Sequence, residues 1–402
     1  MVAAAVLDVA AWSLLCASFA ALIFFAVGVW ATLRHTARTP RAWNGPWPAL
    51  SLLKPIKGDE EDLRANLRSF FVQDYPGELE IVFATADADD AGLAAARALA
   101  AEFPERRVRF VLSDPHYGLN PKLSNLAAAL DAATHDLVLQ SDANVRVRPD
   151  YLRRVVGELL AEDGALLSSM VVGAGEESIG AALENLQLSA WIAPATCFAL
   201  HVAGVTCVIG KSMLLRRSEL ATVGGLAAFK DHLTEDYLIG QAYAQAGRRV
   251  ILSTTTVENV NVRCNVDRFL SRHARWLQMR AVIHVPAFFG DLFGNPVAVG
   301  LVGVALAGFR LGPLAVFAGI VLVKVALDVF LMRRTRGHGM HARHLVLAPL
   351  KDLMMAAVWP YAAVARTVEW RGVRLRVGKM SRLSPLPARG AAHPATSTPS
   401  ER

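Results

Sequence analysis

The sequence predicts an α/β domain, a mostly parallel mixed sheet flanked by helices, carried between membrane helices at its two ends. Three observations predict it. Short apolar runs at 50–53, 80–84, 108–112 and 137–139 alternate with helical patterns, the texture of βαβ units. Uncharged stretches at 9–33 and 292–309 stand outside that alternation. The chain is 53% hydrophobic, with mean hydropathy +0.34, yet 19% charged, which fits a soluble-type domain joined to membrane segments.

Net charge is +7. The basic residues gather beside hydrophobic runs, at 34–41, 333–343 and 366–376. That placement favours a membrane surface and argues against nucleic acid as the partner. The four cysteines show no CxxC spacing, so neither a disulfide framework nor a zinc site is indicated.

Taken in order, the 25 residues of 9–33 would span about 37 Å as a helix, against a hydrocarbon core of ~30 Å. A signal peptide expects positive charge before its apolar run; here the positives follow it. The stretch reads as a retained anchor with its Arg-rich end in the cytoplasm. Residues 50–53 form a strand, and Leu63, Leu67, Phe70 and Phe71 mark a helix. Strand 80–84 ends in Asp87, Asp89 and Asp90; helix 91–101 and strand 108–112 follow. The loop 118–122 feeds an Ala/Leu-rich helix, which leads into strand 137–139 and the pair Asp142 and Asn144.

Strand 165–172 opens the second half. Residues 190–210 carry no Asp, Glu, Lys or Arg, but Pro194, His201 and two glycines argue against a crossing, so a re-entrant or surface-lying stretch is expected. Residues 210–217 read as a strand at the membrane-facing end of the domain. Segments 292–309 and 311–332 read as membrane helices, with Lys324 and Asp328 four apart and able to neutralise one another as a structural pair. Residues 345–365 are interrupted by Pro349, Lys351, Asp352 and Pro360, and a crossing there would put the basic tail outside. A re-entrant or interfacial segment is expected instead. The Pro-, Ser-, Ala- and Thr-rich end is expected to be disordered. The implied organisation is an anchor at 1–35, a cytoplasmic domain at 45–285, membrane segments at 286–366 and a basic, partly disordered tail at 367–402.

The chemistry rests on an ordered set. An apolar strand that delivers Asp142 to its C-terminal edge is where open α/β sheets place ligands. Asp142 and Asn144 offer two oxygens that can share one divalent ion. Singly, each acidic residue is more often a turn or cap. Glu235 and Asp236 open a helix, and 272–276 reads RHARW.

This ordered set resembles the membrane-bound, inverting, nucleotide-sugar-dependent glycosyltransferases of GT-A fold, whose signature is D, D, D, (Q/R)xxRW. Within them it is most similar to ceramide glucosyltransferases, through SLLKPIKG (51–58), FFVQDYP (70–76), GLNPKLSNL (118–126), SDANVRV (141–147), TEDYLIG (234–240) and WRGVRLR (370–376). The resemblance implies that Asp87, Asp89 or Asp90 holds the uracil and ribose of a UDP-sugar, with Lys122 near the base or phosphates. Asp142, with Asn144, would hold Mg2+ or Mn2+; Asn144 stands where many GT-A enzymes carry a second Asp. Arg272 and Arg275 would offset charge on the diphosphate leaving group, and Trp276 would pack on sugar or acceptor. Asp236 is the expected general base, with Glu235 as alternate. His273 reads as a surface residue without a role.

The function implied is transfer of a hexose, best matched by UDP-glucose, to a membrane lipid hydroxyl, best matched by ceramide. Trp191, Phe198 and Cys207 would frame the path of the lipid. A hopanoid or diacylglycerol acceptor, or N-acetylglucosamine or glucuronate as the sugar, are alternatives. A polysaccharide synthase or a non-catalytic transporter or scaffold ranks lower. An integral protein of a bacterial inner membrane, with a cytoplasmic site, is expected.

Overall fold

A computed structural model describes residues 2–370 and 373–386. The chain begins with helix α1 (Val2–Thr36) and enters the α/β domain through β1 (Leu50–Pro55), α2 (Leu63–Phe71), β2 (Leu79–Thr85), α3 (Ala91–Ala100) and β3 (Arg107–Leu112). It continues through α4 (Pro121–Ala132), β4 (Leu137–Ser141), the short β5 (Val145–Arg146), α5 (Tyr151–Ala161) and β6 (Leu166–Ala174). Helix α6 (Ile179–Gln187) passes through a π-helical turn, Leu188–Ile192, into α7 (Ala193–His201). Then come β7 (Ser212–Arg216), α8 (Arg217–Thr222), α9 (Glu235–Gln245), β8 (Val250–Val260) and α10 (Val266–Ile283).

The sheet order is β3-β2-β1-β4-β7-β6-β8-β5. The first four are parallel, as the alternation predicts, and β7 runs antiparallel to both β4 and β6. Strand β7 is thus central to the sheet and buried between its neighbours, where the sequence suggested only a strand at the end of the domain. Consecutive residues point to opposite faces: Leu52 and Leu139 pack with α2 and α5, while Leu53 and Val138 pack with α4 and α9. Burial on both faces explains the unbroken apolar runs.

Residues 190–210 do not span. Their first half is buried between the sheet and α1, with Ala193 and Cys197 packed on Met170, Leu252 and Ala31, while 202–205 is exposed. Helix α1 also packs on the C-terminal helices, and the Ser18 hydroxyl donates to the Pro296 carbonyl at 2.7 Å.

The stretch at 292–309, expected as a membrane helix, holds the last two residues of α11 (Val285–Phe293) and all of α12 (Pro296–Leu306), two helices bent by 52°. Proline at 296 and the Asn295 cap of α12, which accepts from Ala298 N–H at 3.1 Å, make the break. Helix α13 (Leu311–Arg336) follows, then α14 (Leu347–Val364). The expected Lys324–Asp328 pair is present at 2.6 Å and belongs to a larger network: Lys324 also meets Asp352 at 2.6 Å, and Lys351 meets Asp352 at 2.7 Å. Among the described residues three helices, Val2–Thr36, Leu311–Arg336 and Ala342–Val364, are long and apolar enough to cross a membrane, or four if the bent pair counts as one span. Helix α14 nevertheless lies along α10, with Met355 on Phe269 and Ala362 beside Leu277 and Phe288.

The segment expected as a partly disordered tail folds in its first part. Strands β9 (Thr367–Trp370), β10 (Val373–Val377) and β11 (Leu383–Pro385) make an antiparallel sheet. Its Leu375, Val377 and Leu383 bury Leu233, and the Ser381 and Thr234 hydroxyls share a hydrogen bond of 2.6 Å. The small sheet therefore braces the loop that enters α9. The Pro-, Ser- and Thr-rich end at 387–402, expected to be disordered, lies outside the described residues.

Candidate donor and transfer site

The register of one strand pair builds the centre of the site. Ser141 stands opposite Ser212 in the β4–β7 ladder, so the next residues, Asp142 and Lys211, meet where the ladder ends, and Asp142 N–H donates to the Lys211 carbonyl at 3.2 Å. The Lys211 ammonium lies 3.0 Å from Asp142 Oδ2 and donates to Asn144 Oδ1 at 3.0 Å. Asn120 caps α4 by accepting from Lys122 and Leu123 N–H, and Pro121 fits the first helical position. That cap aims Lys122 at Asp142, where its Nζ sits 3.0 Å from Oδ1, 2.9 Å from the Gly210 carbonyl and 3.4 Å from Glu235 Oε1.

A third ammonium comes from Lys54. Fully buried, it donates to Ser141 Oγ at 3.1 Å and to the Asp142 carbonyl at 3.0 Å, and lies 3.5 Å from the centre of the Phe70 ring. Burial drives its pKa well below the ordinary lysine value. For Asp142 burial acts upward, but Lys122 and Lys211 outweigh it and hold the carboxyl well below the usual carboxylate range.

Glu235 and Asp236, at the start of α9, stand in different surroundings. Glu235 is buried and accepts from Asn120 Nδ2 at 3.0 Å. Burial lifts its carboxyl to about 7, opposed by Lys122 and reinforced by Asp236. Asp236 is half-buried; its Oδ2 accepts from Gly210 N–H at 2.5 Å and its Oδ1 from Tyr237 N–H at 2.8 Å. Gly210 leaves space for both neighbours, since a Cβ there would come within 2.8 Å of Asp236 Oδ2 and 3.0 Å of Lys122 Nζ. Asp142, Lys122, Gly210 and Asp236 therefore form one continuous constellation.

A pH test follows for Glu235. Its folded pKa lies above the ordinary 4.5, so the carboxyl favours folding in full below about pH 4.5, and that contribution is lost as pH rises towards 7. Glu235→Gln does not titrate, so its Tm should gain on the native protein by a few degrees between pH 5 and 7.5. A constant gap in Tm across that range would contradict the assignment.

RHARW lies on α10, whose first turn is capped by Asn265 accepting from Arg268 N–H. Arg272 donates to Glu184 Oε1 at 2.9 Å and to Asn261 Oδ1 at 3.1 Å, so one edge of its guanidinium anchors α10 on α6. His273 is not a surface residue: it is buried, 3.3 Å from the same Glu184. Arg275 is half-buried. Trp276 stands edge-on to His273 and lines a small pocket with Gln187, Trp191, Arg280, Asp291 and Asn295. There Trp191 Nε1 donates to Asp291 Oδ1 at 2.9 Å, and Arg280 pairs with the same carboxylate. Trp191 belongs to the π-helical turn, a backbone form common at functional sites.

The remaining candidates fall into place less evenly. Asp87 Oδ1 accepts from Asp89 N–H at 3.0 Å, and both residues are exposed beyond the end of β2. Asp90 is an N-cap: it accepts from Gly92 and Leu93 N–H and, at 2.7 Å, from Gly58 N–H. Phe198 packs on Phe24 of α1 at 4.8 Å between ring centres. Half-buried Cys207 has its thiol pushed up to about 11 by burial, with Arg280 lowering it and Asp236 raising it.

The Asp142–Asn144 pair does not fit a shared divalent ion as arranged, because the Lys211 ammonium already lies between the two oxygens. Among the described residues no group of three His, Cys, Asp or Glu side chains could hold a metal. Sequence reading missed Lys54, Lys211 and Glu184. The first two lie inside recognisable stretches, SLLKPIKG and GKSMLLRR, but their convergence depends on the pairing of β4 with β7.

The family model for glycosyl transferase family 21 matches residues 13–383. Ceramide glucosyltransferase 1 of Caenorhabditis elegans is 28% identical over 234 residues, covering 58% of this chain and half (50%) of that protein. Ceramide glucosyltransferase 3 of the same organism is 24% identical over 336 residues, covering 81% of this chain and 72% of that protein. Among solved structures, a mannosyltransferase from Pyrobaculum calidifontis in complex with GDP-mannose and Mn2+ superposes with a TM-score of 0.50 at 18% identity, covering 88% of this chain and 98% of that one. That likeness extends to the fold, a GT-A sheet with its flanking helices. With a family match over nearly its whole length, the chain belongs to glycosyl transferase family 21 and within it resembles the ceramide glucosyltransferases.

Proposed function

We propose that the chain moves a hexose from a UDP-sugar, best matched by UDP-glucose, to a hydroxyl of a membrane lipid, best matched by ceramide. The observation that carries this reading is the junction at Gly210, where a cation-lined carboxylate, Asp142, and a half-buried carboxylate, Asp236, meet through Lys122. The donor would lie at the Asp142 edge of β4, with Asp87 and Asp89 beyond β2 on the nucleoside side. The acceptor hydroxyl would approach Asp236 from the other side, past Cys207. Asp236 takes the hydroxyl proton as the oxygen attacks the anomeric carbon; the bond to the diphosphate breaks on the opposite face. Both Asp236 oxygens accept backbone N–H groups, which orients the carboxylate and still leaves lone pairs for that proton. Arg272, Arg275 and Trp276 would close the site from α10.

Membrane placement follows from where charge collects. Arg34 and His35 close α1, and Arg333, Arg334 and Arg336 close α13; Arg336 binds Glu176 of the α/β domain. At the opposite end Asp8 pairs with Arg310. The concentration of positive charge at the α/β end supports a cytoplasmic domain on an inner membrane. Helix α14 would lie in the interface, because it follows α10 and presents Val346, Leu350, Tyr361 and Val364 outward.

The packing of Trp191 on Phe25 and of Phe198 on Phe24, both of α1, supports a lateral path for a lipid along that helix. Replacing Trp191 and Phe198 by Ser should raise the acceptor KM about tenfold or more and leave UDP-sugar binding unchanged; an unaltered acceptor KM would remove the path. Donor and acceptor are named together by offering membranes labelled UDP-glucose, UDP-N-acetylglucosamine and UDP-glucuronate, then identifying labelled lipids by mass spectrometry. Labelled glucosylceramide is expected. Label in a hopanoid or diacylglycerol would replace the acceptor, and no labelled lipid from any donor would sink the reading.

A further inference from the structure

Lys211 lies where a metal ion would be expected. Its ammonium is 3.0 Å from Asp142 Oδ2 and 3.0 Å from Asn144 Oδ1, the two oxygens that a shared cation would bridge. The other Asp142 oxygen is 3.0 Å from Lys122 Nζ. One carboxylate thus already faces two ammonium groups, and its partner at position 144 is a neutral amide. A divalent ion entering here would lie beside two cations already paired with Asp142. Lys211 is not a loose surface side chain that could swing out freely. It leaves the central antiparallel pair β4–β7, and its own carbonyl accepts from Asp142 N–H. Burial lowers the Lys211 pKa, against Asp142, which raises it, and Arg272 on α10 adds to the lowering.

We propose that Lys211, together with Lys122, meets the charge of the donor diphosphate in place of a divalent ion, so that donor binding is independent of metal. This rests on the reading of the site as a UDP-sugar site and assigns its electrophilic component. In the transfer, the acceptor oxygen forms its bond to the anomeric carbon and its proton passes to Asp236. The electron pair of the breaking carbon–oxygen bond stays on the terminal phosphate oxygen of UDP. The negative charge that develops there is met by the Lys211 ammonium, which exchanges part of its contact with Asp142 for the phosphate. Lysine suits this role as a compact point charge with three donors, and Asp142 becomes the residue that aims it.

The experiment is UDP binding to the purified full chain in detergent, by titration calorimetry, with EDTA and then with added Mg2+ or Mn2+. The native protein should bind UDP equally in both conditions. Lys211→Met should weaken binding at least tenfold in both, and Lys211→Arg should recover most of it, which separates lost charge from lost fold. Two results would overturn the inference: EDTA abolishing native binding with Mg2+ or Mn2+ restoring it, or Lys211→Met binding UDP as well as the native protein. Absence of UDP binding under every condition would overturn the donor reading itself, and this inference with it.

Discussion

Asp236→Asn should lower kcat about 100- to 10,000-fold, the range expected when a positioned general base is removed. UDP affinity should be retained, because Asp236 lies across Gly210 from the Asp142 cluster. The amide keeps only one of the two acceptors that Gly210 and Tyr237 N–H use, so the UDP titration also reports whether the loop has shifted. Loss of turnover with retained UDP binding marks a base. A non-catalytic scaffold would be indifferent to the change, and unaltered turnover would remove Asp236 from the chemistry.

The second large effect concerns stability. Lys324 is fully buried among apolar helices and lies 2.6 Å from Asp328 and 2.6 Å from Asp352. Removing one partner from a buried ionic cluster leaves uncompensated charge, at a cost of about 3–5 kcal/mol. Lys324→Met should therefore lower the Tm in detergent markedly, and Lys324→Met with Asp328→Asn should recover part of the loss. The cluster joins α13 to α14, and α14 carries the chain back to the small sheet that braces Leu233 and Thr234. A defect there is expected to reach Asp236 through that brace. A Lys324→Met protein as stable as the native one would show that the carboxylates find other partners.

The sequence carried the first half of the fold plainly, because apolar runs buried on both faces and separated by helical spacing leave few alternatives to parallel βαβ units. It carried much less of the second half. Strand β7 is antiparallel within the sheet, and nothing in GKSMLLRR distinguishes that pairing from an edge strand. Hence Asp142 was legible and Lys211 was not. Residues 190–210, expected as a re-entrant or surface-lying stretch, are apolar in their first half because burial between a sheet and α1 demands the same composition as burial in lipid. His273 illustrates the converse: polar by type, it is buried because Glu184 waits beneath it. The 367–386 segment reads as a basic tail, since its strands are short and few of its described residues, Val368, Leu375, Val377 and Leu383 among them, turn inward. Asp90 shows the cost of reading acidic residues in series, as its carboxylate caps α3 and ties down Gly58.

The proposed transfer is a single displacement, with Asp236 on one side of the anomeric carbon and the Lys122–Lys211 cluster on the other. The direct measurement is the anomeric configuration of the purified product by NMR, starting from an α-linked UDP-sugar and a lipid acceptor. The account predicts a β-linked glycolipid, formed by the native chain and lost in Asp236→Asn. An α-linked product, or a β-linked one formed equally well by Asp236→Asn, would contradict it.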